Sequence, residues 1–211
     1  MRFMCICALA ILAPGAFAGG AGTGSAAPSS VSSPIGEAFP LVFDSESIWI
    51  EVGEDSLEVR GTFTLRCREA IDRPIPLFFP LPVDSLLGGA RMVSLAFRVG
   101  GDSAAPARWE DLPGAPGVRW WVPPCGGDSI VAEAVYRQKL LTGYARYILT
   151  TARLWGRPIR YAIFEIRLPT GAEPIEFSYP FEPRSDGGEN SYVYEVRDLF
   201  PDRDIVVRWR R

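Results

Sequence analysis

The sequence predicts an all-β protein, an antiparallel β-sandwich of immunoglobulin-like type with about eleven short strands. Three observations carry that expectation. Apolar residues recur with period two, most clearly from Leu57 to Cys67. No long stretch carries an apolar stripe at helical spacing. The 19 Pro and 21 Gly cut the chain into short extended pieces joined by turns. Strand after strand with no helix between them favours antiparallel ladders over a parallel α/β sheet.

In order along the chain, the first element is an address. Arg2, the apolar run Phe3 to Ala13 and Ala16-Phe17-Ala18 make a positive n-region, an h-region and a small-x-small cleavage site, so residues 1–18 read as a cleavable signal peptide. Export to the periplasm or beyond the cell is the expected localisation. The run breaks at Pro14-Gly15, too short for an anchor, and no later apolar run approaches the roughly 20 residues of a membrane span. Cys5 and Cys7 lie within the h-region, so neither stands where a lipidated first residue of the mature chain would. Residues 19–44 read as a flexible linker, because Gly19 to Pro34 is Gly, Ala, Ser, Thr and Pro with one Val and cannot bury enough surface to order itself. Residues 45–211 form a single domain.

Within that domain, Glu46 to Val52 puts Ile48, Ile50 and Val52 on one face, and Gly53-Glu54-Asp55 turns the chain into a second arm. There Leu57, Val59, Phe63, Leu65 and Cys67 share the inner face and Glu58, Arg60, Thr62, Thr64 and Arg66 the wet one. Further strands are expected at Ile75–Phe79, Arg91–Val99, Val118–Val122, Ser129–Gln138, Tyr144–Thr150, Tyr161–Leu168, Ile175–Tyr179, Ser191–Arg197 and Ile205–Trp209. Gly100 to Pro116 reads as a long surface loop with Trp109 pinned to the body, and Ser185 to Asn190 as a hairpin turn.

Composition narrows the chemistry. The chain contains no His, which removes His-based triads, His general bases and His-ligated zinc. A formal charge of −3 favours no polyanionic partner, so nucleic acid is not expected. Two cysteines follow the signal, and in an exported chain Cys67 and Cys125 are expected to pair; closing a roughly 58-residue loop is worth about 4 kcal/mol in the chain-entropy model. Asp202 and Asp204 resemble half of a calcium loop, but with Arg203 between them they read as solvated turn acids. Glu133, Glu165, Glu176 and Glu195 could in principle supply a hydrolase's carboxylate pair, yet they alternate with apolar neighbours, which fits outward strand positions paired with Arg. No catalytic residue, metal or cofactor is therefore assigned.

The most distinctive segment runs from Tyr144 to Pro158. Tyr144, Tyr147, Arg153, Trp155 and Arg157 could form an aromatic and guanidinium platform for a glycan or an anionic peptide, or equally an aromatic corner packed beneath Arg stems. Trp120 and Trp121 are adjacent in a strand, so one of them faces outward unless both faces are covered.

The strings Phe79-Pro80-Leu81-Pro82-Val83-Asp84, Tyr147-Ile148-Leu149-Thr150-Thr151 with Trp155-Gly156-Arg157-Pro158, Phe177-Ser178-Tyr179 and Phe200-Pro201-Asp202-Arg203-Asp204 resemble an uncharacterised family of exported bacterial proteins, over roughly Ser45 to Trp209. The resemblance implies an extracytoplasmic β-domain and carries no catalytic residue. Together these readings point to a non-enzymatic envelope module that binds an envelope protein or a glycan, with a carbohydrate-binding module and a hydrolase as the alternatives.

Overall fold

The computed structural model describes residues 39–100, 102–184 and 190–210. The expected signal peptide, most of the linker and residues 185–189 of the expected hairpin turn lie outside the described residues. Fourteen strands occur among them, where about eleven were expected.

β1 (Leu41–Val52) and β2 (Ser56–Cys67) are the expected hairpin, in antiparallel register from Leu41 opposite Cys67 to Val52 opposite Leu57. β1 starts inside the range read as linker, so ordered structure begins before residue 45. The period-two reading of β2 holds residue by residue: Leu57, Val59, Phe63, Leu65 and Cys67 are buried and Arg60, Thr62 and Arg66 exposed. Gly61 interrupts the apolar series because a Cβ there would stand 2.5 Å from the Phe63 ring.

The remaining strands are β3 (Ile75–Pro80), β4 (Leu87–Val99), β5 (Ala105–Pro106), β6 (Trp109–Asp111), β7 (Gly117–Val122), β8 (Ser129–Leu140), β9 (Tyr144–Tyr147), β10 (Ile159–Arg167), β11 (Glu173–Phe177), β12 (Glu182–Pro183), β13 (Ser191–Leu199) and β14 (Ile205–Arg210). They make three sheets rather than the two of an immunoglobulin-like sandwich. An eight-stranded sheet has the order β12-β13-β10-β1-β2-β8-β4-β5, and the others are β11-β14-β9 and β3-β7-β6. The antiparallel expectation fails at one pairing: β1 and β10 run parallel, with Ser45 opposite Tyr161 and Glu51 opposite Arg167. The β2–β9 segment forms the long crossover that a parallel pair requires.

Both small sheets cover one face of the large one. Phe97 on β4 stacks on Trp120 of β7 at 5.0 Å, and Phe63 on β2 meets Phe79 of β3 at 5.8 Å. At the other end Phe177 on β11 meets Tyr192 of β13 at 5.1 Å. The opposite face of the large sheet carries ion pairs: Arg60 and Arg137 both donate to Glu58, and the guanidinium groups of Arg60 and Arg167 both lie against the Trp49 ring. A disulfide joins Cys67 to Cys125 beside an isolated bridge between Ile71 and Cys125, fastening the end of β2 to the chain leaving β7. Among the described residues no helix is long and apolar enough to cross a membrane.

Two local expectations change. The 100–116 loop contains β5 and β6, and Trp109, paired through its backbone with Trp120, exposes its ring. Of the tryptophan pair, Trp120 is buried and Trp121 is half-buried under Arg108 at 4.6 Å.

Candidate functional site

The site forms where the two small sheets meet over β1 and β2. β9 ends at Tyr147, and the chain then closes into a short 3-10 helix, Thr150–Trp155, where continued strand was expected to Thr150. The cause is Asp204. Its Oδ1 accepts the backbone N–H groups of Leu149 and Thr150, both at 3.0 Å, and the Thr150 hydroxyl at 2.8 Å, so a carboxylate from another segment caps the start of the helix. Its Oδ2 accepts Arg146 Nε and Nη2 at 2.8 and 2.6 Å. Gly156, at φ 66°, closes the other end in the left-handed conformation, which glycine adopts without strain.

Asp204 is thus no solvated turn acid: its side chain is 9% exposed. Burial pushes its carboxyl up, but the hydrogen bonds from Thr150 and the charge of Arg146 outweigh that, and the net displacement is downward. Its own backbone is held in turn, because Ser178 Oγ donates to the Asp204 carbonyl and the Tyr179 hydroxyl donates to the carbonyl of Arg203. Asp202 stays exposed and pairs with Arg203. Among the described residues no cluster of three or more carboxylate or cysteine side chains could hold a metal ion.

Of the five residues read as a surface platform, Tyr144, Tyr147 and Trp155 point their rings into the core, 6–7% exposed. Trp155 packs 5.8 Å from Phe43 and 5.7 Å from Phe39. Arg153 and Arg157 are exposed, with Arg153 lying over the Phe200 ring at 5.6 Å. A platform needs the rings at the surface, so the segment instead forms a packed corner. Three of the four other glutamates singled out are held by arginine: Glu133 by Arg98, Glu165 by Arg184 and Glu176 by Arg208.

Beneath the corner is a cavity of about 40 Å³. β1 contributes Phe43 and Glu46, β2 Phe63 and Leu65, β3 Phe79 and Pro80, and β7 Trp120; Tyr147, Leu149, Ala152 and Trp155 close it from the 147–155 segment. Glu46 is the exceptional member. It is 3% exposed, with Phe63 and Ala162 as its cross-strand neighbours and the Tyr147 hydroxyl donating to its Oε2 at 3.2 Å. Its Oε1 is buried with no hydrogen-bond partner, as are Nε1 of Trp120 and of Trp155. Burial pushes the Glu46 carboxyl up to about 8, against a smaller opposing effect of Tyr147, so it is mostly protonated at neutral pH. Burial and the neighbouring Glu46 together hold the Tyr147 phenol well above its ordinary range.

Sequence reasoning missed Glu46, although a signal was present: it lies two residues before Ile48, one step back along the alternation that buries Ile48, Ile50 and Val52. The four strings quoted for the family resemblance converge here. Phe79 and Pro80 line the cavity, the 147–155 segment roofs it, and the strings ending at Tyr179 and Asp204 hold the roof.

No family model and no curated protein matches the chain. Its fold is similar to that of a proposed nutrient-binding protein from Legionella pneumophila, at 17% identity and a TM-score of 0.51, covering 85% of this chain and 68% of the other. It is also similar to yeast LTA4 hydrolase (14% identity, TM-score 0.50, 88% of this chain and 31% of the other). A weaker likeness is to an M1 zinc metallopeptidase from Deinococcus radiodurans (18%, 0.47, 80% and 42%). The chain therefore spans less than half the length of either enzyme, and at these identities the likeness is one of fold.

Proposed function

We propose that the chain is an exported, non-enzymatic binding module of the bacterial envelope or its surroundings, and that it holds a small ligand in the Glu46 cavity. One observation carries this reading: Glu46, Trp120 and Trp155 line a single cavity, and each buries a polar atom without a partner. Each such atom costs about 1–3 kcal/mol in a core that could have been apolar. A ligand that engages the Glu46 carboxyl gives the cost of burying it a use. The Cys67–Cys125 disulfide supports an oxidising compartment. The family resemblance fits the same address.

The alternatives have less behind them. A glycan platform needs adjacent exposed rings, and among the described residues the exposed aromatics Trp109 and Phe200 stand on separate segments. Hydrolysis of a glycoside needs two carboxyl groups, and the cavity lining offers Glu46.

The test is a thermal-shift screen of the mature protein against small cationic, neutral and anionic molecules, with Ala152→Leu as a variant that fills the cavity. A class that raises the melting temperature of the native protein and leaves the variant unmoved is the expected result. Equal responses of the two proteins, or none in any class, would refute the reading. Export is checked by mass spectrometry of the secreted chain, which should begin at Gly19.

A further inference from the structure

We propose that the ligand of the Glu46 cavity is a small organic ammonium ion, a methylated ammonium head group, enclosed by aromatic rings and paired with the Glu46 carboxylate. This rests on the reading of the cavity as a binding site and adds the class of ligand.

Charge decides first. The lining contains no Arg or Lys, so an anion would leave water without a cationic partner, whereas the Glu46 carboxyl can ionise to pair with a cation. Walls decide between cations. Phe43, Phe63, Phe79, Trp120, Tyr147 and Trp155 surround the space, and ring faces attract a cation through their quadrupole, most strongly when both are out of water. A hard metal ion instead needs roughly six to eight oxygen ligands, and one carboxyl with one phenol falls far short. Size agrees: a cavity of about 40 Å³ has room for about three water-sized probes, the scale of three or four heavy atoms.

Such a cation also answers the electrostatics of the free protein. Glu46 has no cationic partner there and keeps its proton; the ammonium ion takes the place of that proton, which is released to solvent. The groups that face Glu46 keep this linkage simple. Tyr147 on β9 is the titratable group that acts on Glu46; Tyr136 on β8 and Asp204 act in turn on Tyr147, and the cross-strand neighbours Phe63 and Ala162 do not titrate. Neither phenol loses its proton near neutrality, since burial raises both.

The experiment is isothermal titration calorimetry of trimethylammonium chloride into the disulfide-bonded mature protein at pH 6, 7, 8 and 9. tert-Butanol serves as the uncharged molecule of similar shape, and Glu46→Gln and Ala152→Leu as variants, each first checked for cooperative melting. Affinity for trimethylammonium should rise roughly tenfold from pH 6 to 7, about fivefold from 7 to 8, and level off near 9, because the ion competes with one proton. Glu46→Gln should lose at least about tenfold at pH 8 and all of the pH dependence, and Ala152→Leu should abolish binding even though it retains the carboxyl. Equal, pH-independent binding of tert-butanol and trimethylammonium would overturn the ammonium assignment and leave the binding reading standing. Binding of neither would overturn both. Binding of trimethylammonium that both variants retain would place it elsewhere on the protein and overturn the proposal.

Discussion

Replacing Glu46 by Gln keeps the shape of the side chain and removes its titration, and the consequence follows from the burial of the carboxyl. Glu46 titrates at about 8 in the folded protein, against 4.5 for a solvated glutamate. A carboxyl raised in this way holds its proton more tightly in the native state than in the unfolded chain. Stability is therefore highest below the unfolded value, falls as the pH rises from about 4.5 to about 8, and is level beyond. The slope is about 1.4 kcal/mol per pH unit, which amounts to a loss of about 3 kcal/mol at pH 7 and about 5 kcal/mol above pH 8. The window is otherwise quiet, because the chain has no His and Cys67 and Cys125 are joined. Urea unfolding of the mature protein, followed by tryptophan fluorescence at pH 5, 6, 7 and 8, reads the effect directly. The native protein should lose about 3.5 kcal/mol between pH 5 and pH 8, and Glu46→Gln less than about 0.5 kcal/mol. Parallel pH curves for the two proteins would show that Glu46 is solvated in the folded state and would refute the reasoning.

Asp204→Ala leaves two backbone N–H groups, a hydroxyl and Arg146 without their acceptor and should cost about 3–5 kcal/mol, whereas Asp204→Asn, which keeps an oxygen toward the helix, should cost about 1–2 kcal/mol; both are measured by urea denaturation. Because Asp204 is displaced downward, its contribution is present above the unfolded carboxylate value and is lost as the pH falls through the lower folded value, so the gap between native and Asp204→Asn should narrow below about pH 4. Reducing the Cys67–Cys125 bond, which closes a 58-residue separation, should lower unfolding free energy by about 4 kcal/mol, seen as a lower denaturation midpoint in the presence of a phosphine reductant. Trp155→Ala removes a buried ring packed on Phe39 and Phe43 and should cost about 3–5 kcal/mol; a loss under 1 kcal/mol would return the ring to the surface.

The strands that could be seen in the sequence are those long enough to show their period. β2 alternates over its whole length and was readable residue by residue; β10 likewise shows Ala162, Phe164 and Ile166 inward. β5, β6 and β12 are two or three residues long, which is too few for any periodicity, and so the count fell short. The parallel pairing of β1 with β10 was hidden for a different reason. It joins residues more than a hundred positions apart, and alternation reports which face is buried and not which neighbour lies alongside.

The site was half-legible in the same sense. The 144–158 segment stood out by composition, yet composition cannot tell a ring that faces solvent from one that faces the core. What turns it inward is Asp204, some fifty residues downstream, whose carboxylate caps the helix at Leu149 and Thr150. Read alone, an acid in Pro201-Asp202-Arg203-Asp204 is a turn residue. Glu46 was passed over because a charged side chain is rarely assigned to the buried face of a strand, and buried acids occur where the surrounding fold has reason to keep them.

The central claim is that the Glu46 cavity is a ligand site, and the most direct test is a carbon-13 NMR titration of the Glu46 carboxyl in the free protein and in protein saturated with trimethylammonium chloride. A midpoint near 8 in the free protein, moving down by more than one pH unit in the complex, is the predicted result. A midpoint near 4.5 that the ammonium ion leaves in place would contradict the account.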